Sequence, residues 1–213
     1  DVILQKVALE QQIHILKKFN IKKEEYFFYP AQFWAHKNHY NLILAFKELI
    51  KVNPNTKLVF TGSDKGNLKY IKHIIKEYKL SNNVFHLGFL GLEEIFVLYK
   101  NAISLVFPSF LGPTNMPLLE AKELGCPVLC SNLKGHKEQL GDGALYFDPL
   151  KQESIYSTLL KVMDTKERNF ILDRAKENLL NSKFKDSNIM KTFESNLIEI
   201  SKFRNCWGQD NNF

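Results

Sequence analysis

Along the chain, short runs of β-branched and aromatic residues alternate with longer stretches whose apolar positions recur every three or four residues. This is the pattern of successive strand–helix units on a parallel sheet. An opening helix is predicted over Ile3 to Phe19, and E-Y-F-F-Y-P over Glu25 to Pro30 predicts a first strand. From His39 to Val52, Leu42, Ala45, Phe46, Leu49 and Ile50 share one helical face, and Asn53-Pro54-Asn55 stops that helix before a strand over Lys57 to Thr61. The alternation continues with a helix from about Asn67 to Tyr78, a strand Asn83 to Leu87, a helix Leu92 to Lys100 and a strand Ile103 to Phe107. A helix Pro117 to Leu124, a strand Pro127 to Cys130 and, after Gly141-Asp142-Gly143, a last strand Ala144 to Phe147 complete the pattern. Helical stretches then begin near Lys151, Thr165 and Asp186, and the polar tail Trp207 to Phe213 is expected to fray. The fold class expected is α/β: one doubly wound, Rossmann-like parallel sheet domain over 1–213, with a core over 25–150 and extra C-terminal helices over 151–206.

Composition narrows the class. With 213 residues and 45% hydrophobic content, the chain can bury a sizeable core. Apolar runs such as Ile103 to Phe107 fall far short of the roughly 20 residues a membrane span needs, and no charged-then-apolar leader opens the chain, so neither a span nor a secretory signal is expected. A start on Asp1 fits a piece of a longer protein. Cys126, Cys130 and Cys206 are odd in number and lack metal-ligand spacing, which points to a reducing, cytoplasmic setting without disulfides.

The net charge of +6 suits nucleic acid, anionic lipid or a phosphorylated ligand. Without an aromatic–basic RNA-binding strand or zinc-finger spacing, nucleic acid is not an expected partner. Lys65, Lys69, Lys72, Lys76 and Lys79 form a stripe that a solvated helix carries by default and that also suits peripheral contact with an anionic membrane.

In doubly wound sheets ligands bind beyond the carboxyl ends of the strands, which directs attention to the loops after Tyr29, Thr61, Leu87, Phe107 and Cys130. The loop after Phe107 runs into a helix with Pro117 at or near its first position, where free backbone amides and the positive dipole end suit a phosphate. Glu120, just inside that helix, either accepts the hydroxyls of a vicinal diol such as a ribose or complements the helix dipole. Lys37, before the helix at His39, either neutralises a diphosphate at the same edge or is solvated. His36, His39 and His136 lack the companions of a metal site. The turn around Gly88 and Gly91 allows backbone to approach a flat ring, although such turns are common. No dinucleotide G-x-G-x-x-G follows the first strand, and neither a P-loop nor a nucleophile elbow occurs.

Ordered segments carry a resemblance: F-Y-P-A-Q-F-W-A-H-K-N-H from Phe28, N-V-F-H-L-G-F-L from Asn83, F-P-S-F-L-G-P-T-N-M-P-L-L-E-A from Phe107, L-G-C-P-V-L-C-S from Leu124 and G-D-G-A-L-Y-F-D-P from Gly141. Together they resemble the C-terminal, nucleotide-sugar-binding domain of the retaining GT-B glycosyltransferases of family 4, glycosyltransferase group 1. The resemblance implies that Lys37 contacts the donor diphosphate and that Glu120, the second acid of a Glu-x7-Glu motif, binds ribose hydroxyls. It also implies that the Phe89-Leu90 backbone meets the base, while Gln32 and the stretch Thr114, Asn115, Met116, Leu118 and Leu119 complete the donor site. The position of the first motif acid is Gly112, and the usual arginine five residues before the lysine is Gln32.

The implied activity is metal-independent transfer of a hexose-type sugar, without a cofactor, from a UDP-, GDP- or dTDP-sugar to a saccharide or lipid-linked acceptor. It would serve polysaccharide assembly at the inner face of the cytoplasmic membrane. The acceptor is expected on an N-terminal domain for which the first residues leave no room, so the chain alone is expected to bind donor weakly and transfer nothing. Gly112 and Gln32 also admit a noncatalytic nucleotide-sugar-binding or regulatory module, and a GT-B nucleotide-sugar epimerase is a third alternative.

Overall fold

The structure, a computed structural model, describes residues 7–112, 115–180 and 193–202. Strands β1 (Tyr26–Pro30), β2 (Lys57–Thr61), β3 (Val84–His86), β4 (Ser104–Phe107), β5 (Val128–Ser131) and β6 (Leu145–Phe147) form one sheet in the order β3-β2-β1-β4-β5-β6. Every pairing is parallel. The connecting helices are α1 (Leu9–Lys18), α2 (His39–Val52), α3 (Leu68–Glu77), α4 (Leu92–Asn101), α5 (Met116–Glu123), α6 (Lys134–Leu140), α7 (Gln152–Val162) and α8 (Thr165–Leu180). The expected doubly wound α/β class is the observed one.

A strand covered on both faces has no solvent side, so its apolar residues do not alternate with polar ones. That explains Y-F-F-Y in β1: Tyr26, Phe27, Phe28 and Tyr29 have no exposed surface, and Phe28 lies opposite Val59 of β2 and Leu105 of β4. Each such side chain contributes about 1.5–3 kcal/mol of burial free energy. The lysines at 65, 69, 72, 76 and 79 are all exposed on or beside α3, whose inner face buries Ile71, Ile74 and Ile75.

Several boundaries differ from the sequence expectation. α5 begins at Met116, so Pro117 is its second residue, where a missing N–H is equally harmless. α6 was not expected at all. Its seven residues K-G-H-K-E-Q-L are too few and too polar to show a period, yet His136, Gln139 and Leu140 are buried. The first turn of the predicted opening helix, Thr114, the helix start near Asp186, Cys206 and the tail Trp207 to Phe213 lie wholly or partly outside the described residues. Residues 193–202 are helical. Cys126 and Cys130 are buried free thiols.

His39 opens α2 with no exposed surface, its ring stacked on Phe33 at 4.3 Å and 4.8 Å from the ring of Tyr29. It is a core aromatic. Burial first, then the nearby His86 and Lys37, pull its pKa from 6.5 down to about 3. Below pH 6.5 the unfolded chain therefore takes up a proton that the folded chain refuses, so stability present above that pH is lost as pH falls toward 3. The loss should approach about 1.4 kcal/mol per pH unit. Denaturant unfolding between neutral pH and about pH 4 should give a shallower pH slope for His39→Leu than for the parent, whatever the variant's stability at neutral pH. Equal slopes would remove His39 from the account.

Candidate functional site

The site is built where the loops leaving β1 and β4 meet. After β1, Phe33 is buried and its N–H bonds the Ser63 carbonyl at 3.0 Å, which steers the chain into a 3₁₀ turn over Ala35–Lys37. Asn38 closes that turn with φ of 57°, a left-handed conformation that asparagine tolerates well. Its buried amide donates to the carbonyls of Pro108 at 3.0 Å and Pro149 at 2.9 Å, tying the turn to the loops after β4 and β6. The Tyr29 hydroxyl donates to the Lys37 carbonyl at 2.7 Å, and the Phe110 N–H donates to that of His36 at 2.9 Å. The backbone of Lys37 is thereby fixed before its side chain does anything.

That side chain is half-buried. Its Nζ lies 5.0 Å from the centre of the Phe107 ring and 3.4 Å from Asn115 Oδ1. Burial lowers its pKa. Among the described residues no carboxylate forms an ion pair with it. A half-buried ammonium without a counter-charge is a site for an anion.

Asn115 is 5% exposed and occupies the space beside Gly112. Gly112 has φ of +136°, and a Cβ there would come within 3.0 Å of the Asn115 side chain. The Asn115 Nδ2 donates to the Gly112 carbonyl at 3.0 Å and meets His136 Nε2 at 2.8 Å. His136, fully buried, places Nδ1 2.8 Å from the Ser131 carbonyl at the end of β5. Burial lowers its pKa most, the Ser131 bond opposes that, and Lys37 adds to the lowering.

On α5, the Leu118 N–H is taken by the Asn115 carbonyl at 3.1 Å, and the Leu118 side chain belongs to the core. The expectation of free amides at the helix start therefore fails at Leu118. Glu120 lies beyond the first turn, which holds no acid. It is exposed, and its Oε2 accepts a 2.8 Å hydrogen bond from Tyr99, a residue of α4 only 1% exposed. One oxygen of Glu120 is thus already engaged.

A crevice of about 320 Å³ opens between the two loops, with Gln32, Trp34, His36, Lys37, Asn115 and Met116 on its walls. Of the expected donor residues, Gln32, Lys37, Asn115 and Met116 come together here, whereas Phe89, Leu90, Leu118, Leu119 and Glu120 are not on these walls. Thr114 is outside the described residues. Phe89 is 87% exposed, in the turn after β3, two strands from β1 along the sheet edge, where the Gly88 carbonyl accepts from the Gly62 N–H at 2.8 Å. Sequence reasoning missed Asn38, Tyr99, Trp34 and His136. The polar pair Lys37-Asn38 at a helix start was a readable signal for the first, and nothing local marked the others.

A doubly wound parallel sheet with a crevice between the loops after β1 and β4 is a Rossmann-like domain. The protein belongs to the glycosyl transferases group 1: the family model matches residues 11–178. It is 26% identical over 148 residues to the O-antigen chain mannosyltransferase B of Escherichia coli, covering 69% of this chain and 39% of that one. It is 28% identical over 141 residues to the O-antigen chain mannosyltransferase RfbU of Salmonella typhimurium, covering 66% and 39%. Its fold matches that of Anabaena HepE in complex with UDP and glucose with a TM-score of 0.79 and 18% identity, over 93% of this chain and 55% of that one. The chain spans about two fifths of the length of these curated relatives.

The packing at Gly112 is directly testable. Gly66, also at positive φ but with open space around it, serves as control. Gly66→Ala should cost only the backbone strain of roughly 1 kcal/mol. Gly112→Ala should lose about 1–3 kcal/mol more in chemical unfolding, because Asn115 must move. Equal losses would show that Asn115 does not fill that space.

Proposed function

We propose that this chain is the donor-binding half of a glycosyltransferase that moves a hexosyl group from a nucleotide diphosphate sugar to a saccharide or lipid-linked acceptor, with retention at the anomeric carbon. The observation that carries this reading is the half-buried Lys37 ammonium without an ion-pair partner among the described residues, held beside the crevice between the loops after β1 and β4. A diphosphate leaving group develops negative charge as the glycosidic bond breaks, and a fixed cation at that point stabilises the transition state more than the ground state. In this reading the charge is supplied by Lys37 and not by a metal. The Gln32 side-chain oxygen accepts the Trp34 indole N–H at 3.1 Å, and its NH2 group, unpaired among the described residues, would donate to phosphate. Glu120, steadied by Tyr99, offers its remaining oxygen to ribose hydroxyls, and the Phe89-Leu90 turn meets the base.

Two relatives are O-antigen chain mannosyltransferases, so a mannosyl donor comes first among those to test. The acceptor would be held by the part of the enzyme outside this chain, at the inner face of the cytoplasmic membrane. Among the described residues no helix is long and apolar enough to cross a membrane. A second reading, a noncatalytic nucleotide-sugar-binding module, is favoured by Gly112 standing where the first motif acid is expected.

A thermal-shift series with GDP-, UDP- and dTDP-sugars should select one nucleotide, because a ligand bound only to the folded state raises its melting temperature. Calorimetry with that nucleotide should then show affinity falling about tenfold or more for Lys37→Ala and by less for Glu120→Ala. Unchanged affinity in both variants rejects the site as drawn. Transfer to acceptor by the full-length enzyme separates the two readings, since a module that binds donor and transfers to nothing is the second.

A further inference from the structure

We propose that Asn115, its amide turned by His136, takes up the space and the position beside Lys37 that Gly112 leaves free, and that His136 is a positioning residue for the phosphate-binding lysine. The proposal rests on the donor-site reading of Lys37 and goes beyond it, because it assigns a role to a buried histidine in a helix that the sequence did not reveal.

The chemistry of the groups fixes the order of the chain. The Ser131 carbonyl can only accept, so the proton of the His136 ring sits on Nδ1, 2.8 Å away. Nε2 is then a bare lone pair inside the protein and needs a donor. Asn115 supplies one: its Nδ2 stands 2.8 Å from Nε2, and the second amide proton goes to the Gly112 carbonyl at 3.0 Å. Both N–H bonds being used, the amide oxygen has one direction left, and it faces Lys37 Nζ at 3.4 Å. The opposite tautomer would reverse the amide and point its NH2 group at the ammonium. Three loops converge in this arrangement, after β1, β4 and β5, and none of its members is exposed. A side chain on residue 112 would be incompatible with it.

Two measurements test the proposal. Nitrogen-15 NMR of the imidazole in the free protein should show Nδ1 protonated and Nε2 bare. In Asn115→Asp, which has no amide proton to give, the Nε2 signal should move to the protonated range. An Nε2–H tautomer in the parent, or no change in the aspartate variant, overturns the orienting role.

The second measurement is a double-mutant cycle on affinity for GDP and UDP by calorimetry. His136→Phe keeps the ring volume and removes both nitrogens. It should weaken binding about five- to tenfold with Lys37 present and less than about twofold in Lys37→Ala, since its effect runs through that lysine. Equal losses in both backgrounds would make His136 a merely structural residue and overturn the proposal while leaving the donor site standing. Unchanged affinity for Lys37→Ala alone overturns the donor site and the functional part of the proposal together, with the NMR result still deciding the tautomer. Should His136→Phe not fold, Asn115→Leu, which removes the amide without adding a charge, takes its place in the cycle, and equal losses in both backgrounds overturn the proposal in the same way.

Discussion

Strand β1 lies between β2 and β4, and the direction in which the chain lays down its strands reverses there. The units through β3 build out on one side of it and those from β4 to β6 on the other, so the loops leaving β1 and β4 part over the sheet edge and a crevice opens between them. Parallel pairing throughout puts every strand's carboxyl end on that same edge. Lys37 follows β1 and Asn115 follows β4, and their meeting at 3.4 Å across 78 residues of sequence is a consequence of this one reversal. The cost is a central strand with no solvent face, which is why β1 is built of aromatic residues whose two hydroxyls reach backbone carbonyls, Tyr26 to Leu98 and Tyr29 to Lys37.

Around the crevice, position is set by amides rather than by charge pairs. Asn38 and Asn115 each spend both side-chain N–H bonds: the former on two prolyl carbonyls, which can only accept, the latter on a glycyl carbonyl and, in the proposed tautomer, an imidazole lone pair. A buried amide with its donors committed cannot flip without leaving partners unsatisfied, at about 1–3 kcal/mol for each. Such a framework is rigid and electrically neutral. It can hold Lys37 in place without neutralising it, whereas an acidic clamp would fix the lysine and cancel its charge at once.

Much of the fold was legible because its signals are local. The run Y-F-F-Y could be read as a strand buried on both faces, and the spacing of Leu42, Phe46 and Leu49 as a helix face, from neighbouring residues alone. The site was legible only in part. Lys37 and the α5 start were placed by strand–helix order, and Glu120 by a motif spacing. His136 was not, because K-G-H-K-E-Q-L offers no period and its partners Ser131 and Asn115 reach it through the sheet topology. The same holds for Tyr99, which reads as a core aromatic until its hydroxyl is seen at Glu120. The amides at the start of α5 were misjudged for a different reason: a helix start promises unpaired N–H groups in general, but the tight first turn here returns that of Leu118 to Asn115.

Gly112 changes the electrostatics as well as the packing. Under the proposed function, an acid at that position would stand close to Lys37, and two unit charges about 4 Å apart interact by about 4 kcal/mol at an effective dielectric near 20. The Asn115 carbonyl that occupies the space carries only a dipole, so most of that attraction remains for a ligand's diphosphate. Burial works in the opposite sense, lowering the pKa of the lysine, and among the described residues no carboxylate pairs with it to oppose that. His136 would worsen this if it carried a charge, but burial and the adjacent Lys37 both keep it neutral, and the Ser131 carbonyl satisfies it in that form. The neutral histidine, the neutral amide and the missing side chain at Gly112 are therefore one arrangement. Each removes a charge or an atom that would otherwise compete with the diphosphate for Lys37.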